Sequence, residues 1–386
     1  MIGNGFMGAA HSQGWRVAPR FFDLPLTPEM TVMVGRDATK NARLAAKWGW
    51  AETAADYRAV IDRDDIDVVD IVTPGDSHAE IAIAALEAGK HVLCEKPLAN
   101  TVDEAVRMAD AAEKARAAGV LAMVGFTYRR VPAVTFARDL VARGAVGTVR
   151  QVRAQYLQDW LVDPEVPLTW RMQKDRAGSG ALGDIGAHAV DISQFITGDR
   201  LTSVSGILET FVKERPLLGE SVGLGGTASS ERGEVTVDDY AFFSGRYAGG
   251  AIGSFEATRF STGRKNALRI EISGDKGALL FDLEDLNSLQ YYDSTAPATE
   301  QGFKRIYVTE AEHPYMSAWW PAGHMIGYEH GFSHQVKDLV EAIGGATQPI
   351  PSFADGLQIQ RVLGAVEDSA SRGSAWTAIN AEVQGS

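Results

Sequence analysis

One cysteine, Cys94, stands in 386 residues, so neither an internal disulfide nor a multi-cysteine zinc site can form. Basic residues are outnumbered by acidic ones, 37 to 50, and the net charge of −13 argues against a nucleic-acid backbone or an anionic membrane as partner. No apolar run reaches the ~18 residues a membrane helix needs. The eight histidines include no H-E-x-x-H pair, and no metal is expected. Glycines rather than a basic stretch precede the first helix, so no signal peptide is read and a cytoplasmic location is expected. Internal repeats and low-complexity tracts are lacking too. What remains is an ordinary globular balance, 45% hydrophobic and 23% charged, over a length suited to two or three domains of roughly 100 to 200 residues each.

Up to Phe126, short β-branched runs (Thr31 to Val34, Val68 to Val72, His91 to Cys94, Leu121 to Gly125) alternate with alanine-rich amphipathic stretches (Thr39 to Trp48, His78 to Ala88, Val102 to Ala118). This is the βαβ pattern of a parallel sheet covered by helices. Pro19 to Glu29, with three prolines, reads as a surface loop. Beyond Arg130, strand-like alternation takes over in Val149 to Leu157, Thr202 to Val212, Ala241 to Tyr247, Gly250 to Ala257, Ala267 to Ser273 and Gly277 to Asp282. Glycine-rich Leu218 to Gly233 reads as a long flexible loop, and helical periodicity returns at Phe332 to Ile343 and Gln358 to Ser371. The fold class is α/β: an N-terminal Rossmann dinucleotide-binding domain over residues 1–126, then an α+β domain over 127–386 with a large open, mainly antiparallel sheet.

Gly3, Gly5 and Gly8 have G-x-G-x-x-G spacing, and with Phe6 and Met7 they would form the turn that seats a dinucleotide pyrophosphate on a helix N-terminus. They come so soon that the first strand is expected to begin upstream of Met1. At the end of the second strand, Gly35 takes the place of the acidic residue that accepts both ribose hydroxyls. NADP is therefore open beside NAD. Arg36 would pair with a 2′-phosphate or lie across the adenine, unless it is a surface arginine ahead of a capping Asp37. Thr73, Pro74 and His78 follow the third run at a ligand-binding sheet edge, and Ser77 reads as a helix cap.

Cys94-Glu95-Lys96-Pro97 places an ammonium at the same edge, where it would polarise a substrate oxygen or, alternatively, end a strand with a salt bridge. Asp184 and His188, at i,i+4, would share a helix face as an oriented acid–base pair, the alternative being a capping aspartate and a satisfied histidine. The glycine turn, Glu95-Lys96-Pro97, Gly125-Phe126-Thr127-Tyr128-Arg129-Arg130 and Gly183-Asp184-Ile185-Gly186-Ala187-His188 occur in order, and over essentially its whole length the chain resembles the glucose-fructose oxidoreductase, inositol dehydrogenase and rhizopine catabolism (Gfo/Idh/MocA) family. The resemblance implies a catalytic group of Lys96, Asp184 and His188, with Glu95 and Lys96 near the cofactor. Thr127 departs from the asparagine common in that family.

Gln155-Tyr156-Leu157-Gln158-Asp159-Trp160 and Trp170-Arg171-Met172-Gln173-Lys174 offer amides, a carboxylate and indoles suited to a polyhydroxylated ring, although each tryptophan also suits a core or an interface. Tyr128, Gln158, Trp160, Arg171 and Lys174, with Lys96, Asp184 and His188, are the expected substrate contacts. Within the family these stretches most resemble sugar dehydrogenases. That implies hydride transfer between NAD or NADP and a secondary hydroxyl of a sugar, anhydrosugar or cyclitol, at C3 of a pyranose, and a dimer or tetramer built through the C-terminal sheet. Two alternatives stand beside it: a redox-neutral glycoside-cleaving or epimerising enzyme that retains its NAD, and a non-catalytic nucleotide or sugar sensor.

Overall fold

Ile2 alone represents the first strand. It bridges in parallel to Val34 on one side and Ile71 on the other, with Ile2 N–H donating to the Asp70 carbonyl at 2.7 Å and Gly3 N–H to that of Val34 at 3.0 Å. This stitch joins the parallel pair Val32–Val34 and Glu52–Ala54 to the parallel set Val68–Ile71, His91–Cys94 and Ala122–Val124. The inner strands are apolar and buried, as a sheet covered on both faces requires. Helices Ala38–Trp48, His78–Glu87 and Val102–Arg116 connect them, the last opening on a capping box between Thr101 and Glu104.

The computed structural model describes residues 1–222 and 225–379. Two compact units emerge, one of 1–127 with 327–360, the other of 128–326 and the chain from 361 onward. A single cut after residue 126 does not capture this division. Helix Phe6–Phe21 packs along helix His330–Gly344, with Trp15 and Ala18 against Val336, Leu339 and Val340. Gly14 lies so near its partner that an added Cβ would meet the Phe332 carbonyl oxygen at 2.8 Å. That packing carries Phe6–Phe21 through Pro19, where a loop is expected from the sequence. Proline in the last turn costs one backbone hydrogen bond, and the buried face outweighs it.

In the second unit nine strands form one sheet in the order Lys304–Tyr307, Ser288–Asp293, Gly277–Asp282, Ala267–Gly274, Val149–Leu157, Ile252–Thr258, Tyr240–Tyr247, Leu201–Glu209, Thr377–Ala378. Every pair is antiparallel except the parallel Val149–Leu157 with Ile252–Thr258. Helix Ala187–Thr197, buried on nearly every side, packs against this sheet. The expected flexible loop at Leu218 to Gly233 is instead an antiparallel ribbon, Glu214–Val222 with Gly225–Glu234, although residues 223–224 lie outside the described part. Its ladder is interrupted after Pro216 and Leu218, which explains the weak alternation in sequence. No helix among the described residues is long and apolar enough to cross a membrane.

Candidate active site

Candidate residues of the first unit stand where parallel strands end. Gly3 has φ +108°, and a Cβ there would meet the Val72 carbonyl oxygen at 2.9 Å; at Gly8 one would meet Gly3 O at 2.9 Å. Gly5 differs, since nothing lies within 4 Å of its added Cβ. It also caps helix Phe6–Phe21 without any side-chain hydrogen bond, so the first-turn amides of Phe6, Met7 and Gly8 face an open approach. Such a turn suits a pyrophosphate, which the helix dipole favours. Beside it, the Asn4 and Asn41 amides, bonded at 3.1 Å, fill the space a Gly35 side chain would need. Arg36 is exposed, and Asp37 caps the next helix through Lys40 N–H at 2.9 Å.

Around the next two strand ends, His78 is buried with Nδ1 3.0 Å from the Pro97 carbonyl oxygen and Nε2 2.9 Å from that of Thr73. Its ring therefore ties Thr73-Pro74 to the lysine loop, a bracing position. Ser77 does not cap its helix; its hydroxyl donates back to Thr73 Oγ1 at 2.7 Å. Thr127 is buried and donates to Gln335 at 2.7 Å.

Lys96 follows strand His91–Cys94 and precedes Pro97 through a cis peptide bond. Glu95, expected at the cofactor, turns its carboxylate into the core. There His11 Nε2 donates to Glu95 Oε1 at 3.0 Å, while His11 Nδ1 lies 2.9 Å from Asp70 Oδ1. Trp15 Nε1 donates to Asp70 Oδ2 at 2.7 Å, and Lys96 N–H to Glu95 Oε2 at 3.3 Å. Burial lowers the His11 pKa, but Asp70 and Glu95 more than reverse this and push it up to about 10. An imidazolium thus sits between two carboxylates directly beneath the lysine loop. The spacing Gly8-Ala9-Ala10-His11, one turn into the helix, was the available sequence signal for it.

In the second unit Asp184 lies on a π-turn, Leu182–Gly186, that runs straight into helix Ala187–Thr197 carrying His188. Such turns are frequent at functional sites. Asp238 fastens its entrance, accepting from Gly180 N–H and Leu182 N–H, both at 2.7 Å. The approach is close: a Cβ on Gly180 would meet the Asp238 carbonyl oxygen at 1.8 Å, and one on Gly186 would come within 3.3 Å of Ala257 on the sheet. Asp184 Oδ2 accepts from the fully buried Arg259 at 2.7 Å.

His188 packs against Tyr128 and Tyr156, ring centroids 4.6 and 5.9 Å away. From them a hydrogen-bond chain extends. The Tyr128 and Tyr156 hydroxyls are 2.8 Å apart, Tyr156 donates to Asn266 Oδ1 at 2.7 Å, Gln158 Nε2 donates to the same oxygen at 2.9 Å, and Trp160 Nε1 donates to Gln158 Oε1 at 2.9 Å. Arg171 stacks on Trp170 at 4.4 Å; burial lowers its pKa, Asp184 opposes this, and Arg259 adds to it. Tyr128, Gln158, Trp160, Arg171, Asp184 and His188 therefore fall in one neighbourhood of the second unit. Lys174 does not share it, since its ammonium turns to Glu367 at 3.4 Å. Gln155 and Asp159 also turn elsewhere, to Glu256 and Lys265. Tyr156 lies in the stretch Gln155 to Trp160 but is not among the expected contacts, and Asn266 and Arg259 lie in no motif.

An open glycine turn at the carboxyl edge of a parallel sheet defines a dinucleotide-binding class of protein. Family models agree: residues 1–126 match the oxidoreductase family with an NAD-binding Rossmann fold, and residues 134–280 match the GFO/IDH/MocA C-terminal domain. The chain belongs to the GFO/IDH/MocA family. Levoglucosan dehydrogenase of Pseudarthrobacter phenanthrenivorans is 41% identical over 379 residues, covering 97% of this chain and 96% of that protein. A crystal structure of an oxidoreductase domain protein from Kribbella flavida superposes with TM-score 0.94 at 64% identity, covering 98% of both chains. Levoglucosan dehydrogenase in complex with NADH and levoglucosan superposes with TM-score 0.92 at 40% identity, again over 98% of each.

Two outcomes are expected. A folded-state His11 pKa of about 10 against ~6.5 unfolded means that its stabilisation is complete below pH ~6.5 and is lost as pH rises through 10. The urea midpoint of the protein should fall over that window, whereas His11→Gln should start about 3 to 5 kcal/mol less stable and lose much of that slope. Separately, Arg36→Ala should raise the Kd for NADPH more than that for NADH, measured by fluorescence titration. Equal changes would remove Arg36 from the adenosine site.

Proposed function

We propose that the protein oxidises a secondary hydroxyl of a sugar or anhydrosugar, with C3 of a pyranose as the reacting carbon and NAD(P) as oxidant. One observation carries this reading: Asp184 and His188 stand one turn apart in a continuous helical run beside a wall of hydrogen-bonded Tyr, Asn, Gln and Trp side chains. Amide and phenol groups pair with hydroxyls, and indole faces accept C–H surfaces. The named activity of the Pseudarthrobacter relative, and the structure of a levoglucosan dehydrogenase in complex with NADH and levoglucosan, support the same substrate class.

In this reading Lys96 joins Asp184 and His188 at the substrate. Its ammonium donates a hydrogen bond to the reacting oxygen and stabilises the negative charge that grows as the O–H bond breaks. His188 accepts the hydroxyl proton, and the Asp184 carboxylate one helical turn before it favours the protonated form. Bound nicotinamide supplies the hydride acceptor. The first-turn amides of Phe6, Met7 and Gly8 hold the pyrophosphate, and His78 and His11 brace the loops that carry Thr73 and Lys96.

We further propose assembly of identical subunits through the outer face of the nine-stranded sheet. Phe242 and Ile207 are directly paired there and are 40% and 48% exposed, and Ile252 on the next strand is 43% exposed. Apolar side chains on an open sheet face are the usual mark of a covered surface.

Lys96→Met should lower turnover by about two or more orders of magnitude with little change in NADH affinity. His188→Ala should abolish the rising limb of the pH–rate profile for oxidation. Near-normal turnover in the first, or a retained limb in the second, would reverse or remove the roles given. Stoichiometric NAD(P)H formation during turnover separates a dehydrogenase from a redox-neutral enzyme or a sensor. Phe242→Asp should reduce the sedimentation coefficient toward that of a single chain; an unchanged value would place any interface elsewhere.

A further inference from the structure

Arg259 is used by none of the steps above. It ends the strand Ile252–Thr258, is fully buried, and sends Nη2 to Asp184 Oδ2 at 2.7 Å and to the Gly180 carbonyl oxygen at 3.3 Å. Its guanidinium also lies over the Trp160 ring at 5.5 Å. Burying a guanidinium is costly, and a purely structural tie to this loop is already supplied by Asp238, which holds Gly180 N–H and Leu182 N–H. What Arg259 adds is a permanent positive charge on the carboxylate one helical turn before His188.

We propose that Arg259 is a positioning residue of the dehydrogenase site, fixing Asp184 and offsetting its charge so that His188 rests neutral and can accept the substrate proton. This rests on the functional reading above. An ionised aspartate beside an imidazole raises the imidazole pKa by about 1 to 3 units, enough to leave a base protonated near neutrality. A guanidinium bound to the same aspartate pulls the other way and cannot lose its own proton. The other charged and titratable groups in the neighbourhood are Arg171, which interacts with both Asp184 and Arg259; Asp238 and Asp239, which face Arg259; Arg215 behind them; Asp191, buried on the His188 helix and ion-paired to Arg129; and the phenols of Tyr128 and Tyr156 against the His188 ring. Asp238 and Asp239 are engaged by backbone N–H groups, so Asp184 is the only carboxylate to which Arg259 makes a direct ion pair among the described residues.

The test is an NMR titration of the His188 imidazole in the full chain, assigned by the signal lost in His188→Gln, together with the pH–rate profile for NAD(P) reduction. Arg259→Gln should move the His188 midpoint upward by about one unit and carry the rising limb of the rate with it. Arg259→Lys, which keeps the charge, should move both by much less. An unchanged or lower midpoint in a folded Arg259→Gln protein overturns the proposal and leaves Arg259 as a packing residue. If that variant does not fold, Asp184→Asn is compared with Asp184→Asn/Arg259→Gln, which buries no lone charge. The double variant should titrate higher, and equal midpoints overturn the proposal. Because the titration needs no turnover, a wild-type protein that reduces no NAD(P) with any sugar would sink the dehydrogenase reading while the shifted midpoint still upholds the Arg259 assignment.

Discussion

The buried His11 ring between Asp70 and Glu95 is the contact on which the first unit's chemistry depends. Three separate elements meet in it: the helix after the glycine turn, the end of strand Val68–Ile71 and the residue before Lys96. Two carboxylates brought this close in a core repel, and a cation between them offsets the repulsion. With the imidazolium in place, the repulsion becomes a three-part bond that fixes the lysine loop relative to the glycine turn. Trp15 then extends the same bond into the helix pair, since one edge of its indole donates to Asp70 while the ring packs beside Ala18 and Leu339. Polar and apolar order are thus set by the same helix.

In the second unit order comes from directionality. Asn266 Oδ1 accepts from both Tyr156 and Gln158, which settles that the Tyr156 hydroxyl hydrogen points to it and that Tyr128 donates to Tyr156. Gln158 in turn has its oxygen turned to Trp160. Each amide and phenol has one orientation, so the wall presents a defined pattern of donors and acceptors instead of rotating groups. Such preorganisation is what a sugar site needs, because hydroxyl-bearing substrates differ from one another mainly in where donors and acceptors stand.

Much of this was legible in the residues. Alanine-rich amphipathic stretches announced helices such as Val102–Arg116, β-branched runs announced parallel strands, and alternation located Val149–Leu157 and Gly277–Asp282. The same alternation put Tyr156 and Gln158 on one face and Gln155 on the other, a distinction lost when the stretch is treated as a single cluster. What stayed hidden depended on residues distant in sequence. Arg259 reaches Asp184 across 75 positions, and Trp15 finds its helix partner more than 300 residues later. Local pattern carries no record of such pairings, and it gave Pro19 a turn where tertiary packing sustains a helix.

The return of residues 327–360 to the first unit bears on how the protein is made. During synthesis the glycine turn, the strands and the Lys96 loop leave the ribosome as one stretch, but the helix that covers Trp15 and Ala18 follows about 200 residues later. At ordinary elongation rates that is a delay on the order of ten to forty seconds. Through that interval the nascent first unit carries an uncovered apolar helix face while the second unit's sheet is still being translated.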